Sequence, residues 1–139
     1  MTNEKILALH PAPTTTGYAI HKYGKFSNSG IWELEGDSCL NLLNKLYRTI
    51  GGHGIERILI PDILPDMDAR IPELIGVIKA VAQDYQIPVT LVHHWCIEDE
   101  TPTPPPEQKQ ERLADTYLYS DNPDERDAIA ALVTYVFSS

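Results

Sequence analysis

The sequence predicts one α/β domain with a five-stranded mixed sheet and helices on both faces. The first observation is a short, continuously apolar run at residues 6–9, typical of a central strand that is covered on both faces. The second is a pair of strand patterns that follow over short connections, which makes the first three strands an antiparallel meander. The third is the strand–helix alternation after residue 56, which favours parallel strands joined by right-handed crossovers.

The first strand ends at His10, where two prolines and a polar loop interrupt it. Residues 17–23 and 29–34 are predicted as the second and third strands, with a turn at residues 24–25. Asp37 is expected to cap a helix that Gly51-Gly52 closes. The apolar residues of this helix recur at helical spacing: Leu40, Leu43, Leu46, Tyr47 and Ile50.

The second half of the chain carries two buried strands, each followed by a helix. Residues 57–62 and 88–93 are the strands, and residues 71–86 form a helix with Leu74, Ile75, Ile78 and Ala82 on one face. A proline-rich linker at residues 101–106 precedes an amphipathic helix at residues 107–119. The last helix has the clearest start signal, because Asn122 can cap it, Pro123 takes its first position and Glu125 lies three residues after the cap.

Length and composition set the class of protein. With 139 residues the chain is long enough for one core, so residues 1–139 are expected to form a single domain. No stretch approaches the roughly 20 apolar residues of a membrane span, and the N-terminus lacks a secretory pattern, so we expect no membrane association. Cys39 and Cys96 lack metal-ligand spacing and are typical of buried thiols in a reducing cytoplasm.

Candidate functional residues lie where sites form in such sheets, beyond the carboxyl ends of the parallel strands. His10 and Asp62 each end one of these strands, and Asp124 and Asp127 share one face of the last helix. Several carboxylates aimed at one point are what a two-metal nuclease needs to hold Mg²⁺ ions across a phosphate. The alternatives stay open, because acidic residues also suit a helix N-terminus and Asp62 fits a turn after a strand.

The net charge of −9, from 11 Lys and Arg against 20 Asp and Glu, works against a general nucleic-acid binder. It leaves a protein partner open. His93 and His94 end the last predicted strand and either line the same cleft or are partly buried surface residues.

Four segments, in order along most of the chain, resemble RuvC-type Holliday junction resolvases. Residues 6–20 look like the first hairpin of that family, in which an apolar strand ends in Asp-Pro-Gly and a Thr-Gly-Tyr-Ala-like segment follows. Gly30-Ile31 matches the Ser-Gly-Ile of their third strand, and residues 76–89 resemble their helix-to-fifth-strand passage. Residues 124–130 are similar to their closing Asp-x-x-Asp-Ala-Leu-Ala.

The resemblance implies an RNase H-like fold and a nuclease site. It carries the catalytic positions over to His10, Asp62, Asp124 and Asp127, with the same four residues as ligands of a divalent metal, Mg²⁺ or Mn²⁺. It further implies branched DNA as the partner, a role in DNA recombination and a homodimer.

Several departures bear on activity. His10 stands where active members of the family have an aspartate, which removes a negative charge and disfavours Mg²⁺, although Mn²⁺ or Zn²⁺ tolerates imidazole. Asp62 is one methylene shorter than the usual glutamate, and the segment from Asp62 to Gly76, which helps form the dimer in the resolvases, is short. The region before the last helix carries Lys109 and Arg112 but lacks the larger set of basic residues with which the resolvases contact DNA.

The favoured hypothesis is therefore a DNA-associated protein with weakened or lost metal-dependent endonuclease activity. One alternative is an active, Mn²⁺-dependent, structure-selective endonuclease. Another is a non-catalytic protein-interaction module. A third is a small acidic enzyme whose substrate is not nucleic acid.

Overall fold

A computed structural model describes residues 3–61, 70–92 and 122–138. Its five strands form one sheet in the order β3-β2-β1-β4-β5. The first three strands pair antiparallel, and β1, β4 and β5 run parallel, as the sequence predicts. The strands are β1 Ile6–Pro11, β2 Thr15–Lys22, β3 Lys25–Glu33, β4 Arg57–Pro61 and β5 Val89–Val92.

In the described ranges, three helices cover the two faces of this sheet. Helices α1, Ser38–His53, and α2, Arg70–Tyr85, pack on one face, and α3, Pro123–Ser138, packs on the other. The predicted fold class is confirmed. No helix in the described ranges is both long and apolar enough to cross a bilayer.

The apolar run of β1 contributes to two hydrophobic cores, one on each face of the sheet. Leu7 and Leu9 point into the cluster beneath α1 and α2, whereas Ile6 and Ala8 point into the cluster beneath α3. All four side chains are fully buried. Because successive side chains of a strand alternate between faces, a strand with helices on both sides must be apolar at every position.

Helix α1 begins as predicted but ends later. The Asp37 carboxylate accepts a hydrogen bond from the backbone N–H of Leu40 at 3.1 Å. The helix continues through Gly51-Gly52 and stops at Gly54, whose left-handed backbone (φ +66°) lets its N–H bond the Ile50 carbonyl. The predicted end at Gly51-Gly52 was wrong because glycine tolerates the helix, while the left-handed residue that terminates it is Gly54.

The predicted apolar stripe of α1 was also partly wrong. The buried residues are Leu42, Leu46 and Ile50, spaced by four. Leu40 and Tyr47 are 53% and 39% exposed. Leucines stand at both 42 and 43, so the sequence alone admits two neighbouring stripes, and packing selects the one through Leu42.

The hairpin joining β2 to β3 is longer and tighter than predicted. Lys22 pairs with Lys25, so the loop is the two residues Tyr23 and Gly24. Both have positive φ, +55° and +76°, as a type I′ turn requires. The predicted turn at Gly24-Lys25 is therefore displaced by one residue, because tyrosine is an unusual first residue of such a turn.

Several predicted features lie outside the described residues. They are Asp62, the histidines at 93 and 94, the linker at 101–106 and the helix at 107–119 with its two basic residues.

Candidate functional site

His10 reaches the face of the sheet that α3 covers. It pairs with Gly17 of β2 near the carboxyl end of β1. Its side chain lies on the same face of β1 as those of Ile6 and Ala8, which contact α3. Its side chain is 12% exposed. The imidazole is therefore nearly buried between the sheet and the start of the last helix.

Helix α3 brings two carboxylates to His10. Asn122 caps this helix, because its Oδ1 accepts hydrogen bonds from the backbone N–H groups of Asp124 and Glu125 at 2.9 and 3.3 Å. The His10 Nδ1 lies 3.3 Å from Asp124 Oδ1, and its Nε2 lies 3.2 Å from Asp127 Oδ2. The imidazole thus lies between the two carboxylates with one nitrogen facing each.

Two hydroxyl groups of the hairpin fix the first turn of α3. Thr15 Oγ1 donates to Asp124 Oδ2 at 2.7 Å, and Ser29 Oγ donates to Glu125 Oε2 at 2.5 Å. Both carboxylate oxygens of Asp124 therefore have a contact, one with Thr15 and one with His10. Neither Thr15 nor Ser29 was predicted as a site residue. The signal that could have found Thr15 is strand alternation, which puts Thr15 and Gly17 on the face of β2 that carries Ala19.

Gly17 allows the close approach of α3 to β2. A Cβ at this position would lie 2.0 Å from the Asp124 carbonyl oxygen and 2.6 Å from the Glu125 backbone nitrogen. No side chain fits there, so the glycine of the Thr-Gly-Tyr-Ala segment is required for the helix start to lie on the strand. The distance between His10 and Asp124 depends on this contact.

The environment of Asp124 favours its ionised form. Contact with the His10 imidazole holds the pKa of this carboxyl below its ordinary value, and the hydrogen bond from Thr15 acts in the same direction. Burial opposes both by raising the pKa. The net direction is downward, so Asp124 is a carboxylate at neutral pH.

The described site residues do not fit a two-metal centre. Such a centre needs oxygen ligands that converge on a shared point. Here Asp124 and Asp127 face opposite nitrogens of one imidazole ring, which takes up the space between them. Within residues 3–61, 70–92 and 122–138, no group of three His, Cys, Asp or Glu side chains is arranged to hold a metal ion. Asp62, the fourth predicted ligand, lies outside these ranges.

An open groove of about 600 Å³ lies beside the site, between β3, α1 and the cap of α3. Its lining includes Thr15 and Asn122, which also contact the start of α3. Two carboxylates, Glu33 and Glu35, and one ammonium group, Lys45, contribute its charges. The groove is therefore net acidic, like the site next to it.

The sheet order, the meander and the placement of helices on both faces define the RNase H-like fold. Solved structures that the chain resembles include Holliday junction resolvases, so the resemblance seen in the sequence is confirmed at the level of the fold. No protein-family model and no curated protein matches the sequence.

RuvC from Thermus thermophilus, solved in complex with a Holliday junction substrate, superposes with a TM-score of 0.73. It is 10% identical, and the match covers 96% of this chain and 93% of RuvC. The fowlpox virus resolvase, solved with Holliday junction DNA, gives 0.62 at 11% identity over 96% of this chain and 97% of its own. The yeast mitochondrial Holliday junction resolvase gives 0.52 at 11% identity, covering 96% and 78%.

Proposed function

We propose that this protein binds branched DNA and that its metal-dependent endonuclease activity is weakened or lost. The fold supports the first part, since the RuvC and fowlpox resolvase structures that it resembles were solved with Holliday junctions. The second part is carried by one observation, the His10 imidazole between Asp124 and Asp127.

The two carboxylates are matched by a cation that the chain itself supplies. An ionised carboxylate only accepts hydrogen bonds, whereas a neutral imidazole has one donor and one acceptor nitrogen. A carboxylate within 3.3 Å of each ring nitrogen electrostatically favours the imidazolium form. The positive charge between Asp124 and Asp127 then comes from His10 in place of a bound ion.

An imidazolium in this position does not perform nuclease chemistry. It has no lone pair with which to accept a proton from water, so it is not a general base. A metal ion that entered would have to displace the ring and break both of its contacts with the carboxylates. The acidic groove beside the site, with Glu33 and Glu35, further disfavours a phosphate backbone close to these residues.

The test is binding and cleavage of a fluorescently labelled four-way junction by the full chain, first with Mg²⁺ and then with Mn²⁺. We expect the junction to bind and to remain intact. The variant His10→Asp restores a third carboxylate and is expected to gain Mn²⁺-dependent cleavage. The double variant His10→Asp/Asp127→Asn is the matched control and should lose it again.

Two results would contradict this proposal. Failure of the wild-type chain to bind the junction at low salt would exclude the DNA-binding part. Cleavage by the wild-type chain in Mn²⁺ that disappears in Asp127→Asn would exclude the loss of activity.

The second of those results would instead support the alternative function, an active Mn²⁺-dependent endonuclease. The observation that favours it is the proximity of His10 to Asp124 and Asp127, since a neutral imidazole nitrogen is an accepted ligand of Mn²⁺. Failure of binding would favour the protein-interaction module, to which the net charge of −9 is suited.

A further inference from the structure

The two ends of the sheet differ in charge. Among the residues that the structure describes, the end that carries His10 is acidic, with Asp124, Asp127 and the glutamates of the groove. The opposite end, which we call the hairpin end, is built from the turn between β2 and β3, the residue before β1 and the last residue of α1. Its basic and aromatic side chains include Lys5, Lys22, Tyr23, Lys25 and His53, and its acidic side chains include Glu4 and Glu56. At about 3.3 Å per residue along β2, Tyr23 lies about 20 Å from the level of His10.

The hairpin end carries an excess of positive charge. In the part of the chain that the structure describes, the ammonium groups of Lys5, Lys22 and Lys25 form no ion pair with a carboxylate. The carboxylate of Glu56 accepts a hydrogen bond from the backbone N–H of Lys5 at 2.9 Å. Arg57 on the adjoining strand differs, since its charge is paired with Glu4 at 3.1 Å.

The positive charge of Lys22 affects the neighbouring His53. The Lys22 Nζ lies 3.0 Å from His53 Nδ1. Burial first, and the Lys22 charge second, lower the pKa of His53 from its ordinary value. The histidine is therefore a neutral acceptor that fixes the Lys22 ammonium group at the surface.

Tyr23 is the exposed aromatic residue of the same end. It occupies the first position of the type I′ turn with φ +55°, a conformation that asparagine, aspartate and glycine adopt far more readily. Its side chain is 72% exposed, and Lys5 Nζ lies 5.3 Å from the centre of its ring. Neither turn chemistry nor burial accounts for tyrosine here, and such strained positions concentrate at functional sites.

We propose that the hairpin end is a contact surface for an unpaired DNA strand, with Tyr23 stacking on a base and Lys5, Lys22 and Lys25 contacting the phosphates. Exposed aromatic rings within a cationic surface are how proteins bind single strands without reading their sequence. This inference deepens the proposed function, on which it rests for DNA as the partner. It places that contact away from the acidic cleft, where phosphates are repelled.

The experiment measures binding of the full chain to a fluorescein-labelled single strand of about 20 nucleotides by anisotropy, over a range of salt concentrations. Tyr23→Asn removes the ring and introduces a residue that suits the turn, so folding is retained. We expect it to weaken binding by about 5-fold to 150-fold, because stacking of one base is worth about 1–3 kcal/mol. Lys25→Gln should weaken binding and reduce the salt slope by about 0.7. Lys79→Gln, an exposed lysine of α2, is the matched control and should change neither.

Binding of Tyr23→Asn within about two-fold of the wild-type chain would overturn the inference, since a stacking contact costs more than that. Equal weakening by Lys25→Gln and Lys79→Gln would also overturn it, because the charge effect would then be general. Tighter binding of duplex than of single strand would exclude an unpaired strand as the occupant. If the wild-type chain binds the four-way junction while Tyr23→Asn binds the single strand as tightly as the wild-type chain does, this inference fails and the proposed function stands. If the wild-type chain binds no DNA, both fail.

Discussion

Replacing Gly17 with alanine should detach the start of α3 from the sheet. The added Cβ would lie 2.0 Å from the Asp124 carbonyl oxygen and 2.2 Å from its carbonyl carbon. Non-bonded heavy atoms are comfortable at about 3.5 Å, so the helix start must move by roughly 1.5 Å. The atoms in the way are backbone, so rotation of a side chain cannot relieve the clash.

Such a movement breaks the hydrogen bonds that Thr15 and Ser29 donate to the first turn of α3. Overpacking costs about 1–3 kcal/mol, and each hydrogen bond to a charged group contributes about 1.5–3 kcal/mol. We therefore expect Gly17→Ala to lower the free energy of unfolding by about 4 kcal/mol or more. The measurement is urea denaturation followed by circular dichroism.

Gly76→Ala is the matched control, because Gly76 lies exposed in α2 and a Cβ there meets nothing within 4 Å. Removing a helical glycine should raise the free energy of unfolding by about 0.5–1 kcal/mol. If Gly17→Ala were as stable as the wild-type chain to within about 0.5 kcal/mol, the close packing of α3 on β2 would be refuted.

Three further predictions concern single side chains. Asn122→Ala removes the cap of α3 and should lower the free energy of unfolding by about 1 kcal/mol in urea; no measurable change would contradict the capping geometry. Contact with His10 lowers the pKa of Asp124, so its carboxylate stabilises the fold above the unfolded-state value near 3.8, and this stabilisation is lost as the pH falls through the lower folded value. The difference in unfolding free energy between the wild-type chain and Asp124→Asn should therefore shrink on acidification below 3.8, and a constant difference would contradict the coupling. Burial and then the Lys22 charge lower the pKa of His53 below 6.5. The unfolded chain therefore protonates this imidazole at a higher pH than the folded chain does, so lowering the pH through 6.5 reduces the free energy of unfolding. Lys22→Met should raise the pKa of His53 in an NMR titration, and an unchanged value would remove Lys22 as a cause.

The sequence predicted the fold well because its signals are strong and redundant. The apolar run of β1 and the alternation of strands and helices fix the layers, and topology then requires residues at the ends of β1 and the start of α3 to approach each other. The proximity of His10, Asp124 and Asp127 follows from that topology.

Finer features could not be predicted, since they depend on register and on distances of about 3 Å. Ser29 meets α3 because of the register of β3 against β2, which follows from the turn at Tyr23-Gly24, and tyrosine gives no signal for such a turn. The orientation of the His10 ring between Asp124 and Asp127 likewise has no signal in the sequence, because it depends on contacts of about 3 Å. Whether His10, Asp62, Asp124 and Asp127 act in catalysis stays a prediction.

The docking of α3 also has a consequence for the order of folding. The hydrogen bond between Thr15 and Asp124 joins residues 109 positions apart, and α3 supplies about half of the core on its side of the sheet. A contact between residues so far apart in sequence requires a long loop to close, which lowers the entropy of the chain, and such contacts tend to form late in folding. The β1–β3 meander, built from neighbouring residues, can form first. The carboxylates therefore reach His10 only after α3 has docked on the sheet, and the cleft does not exist before that contact forms.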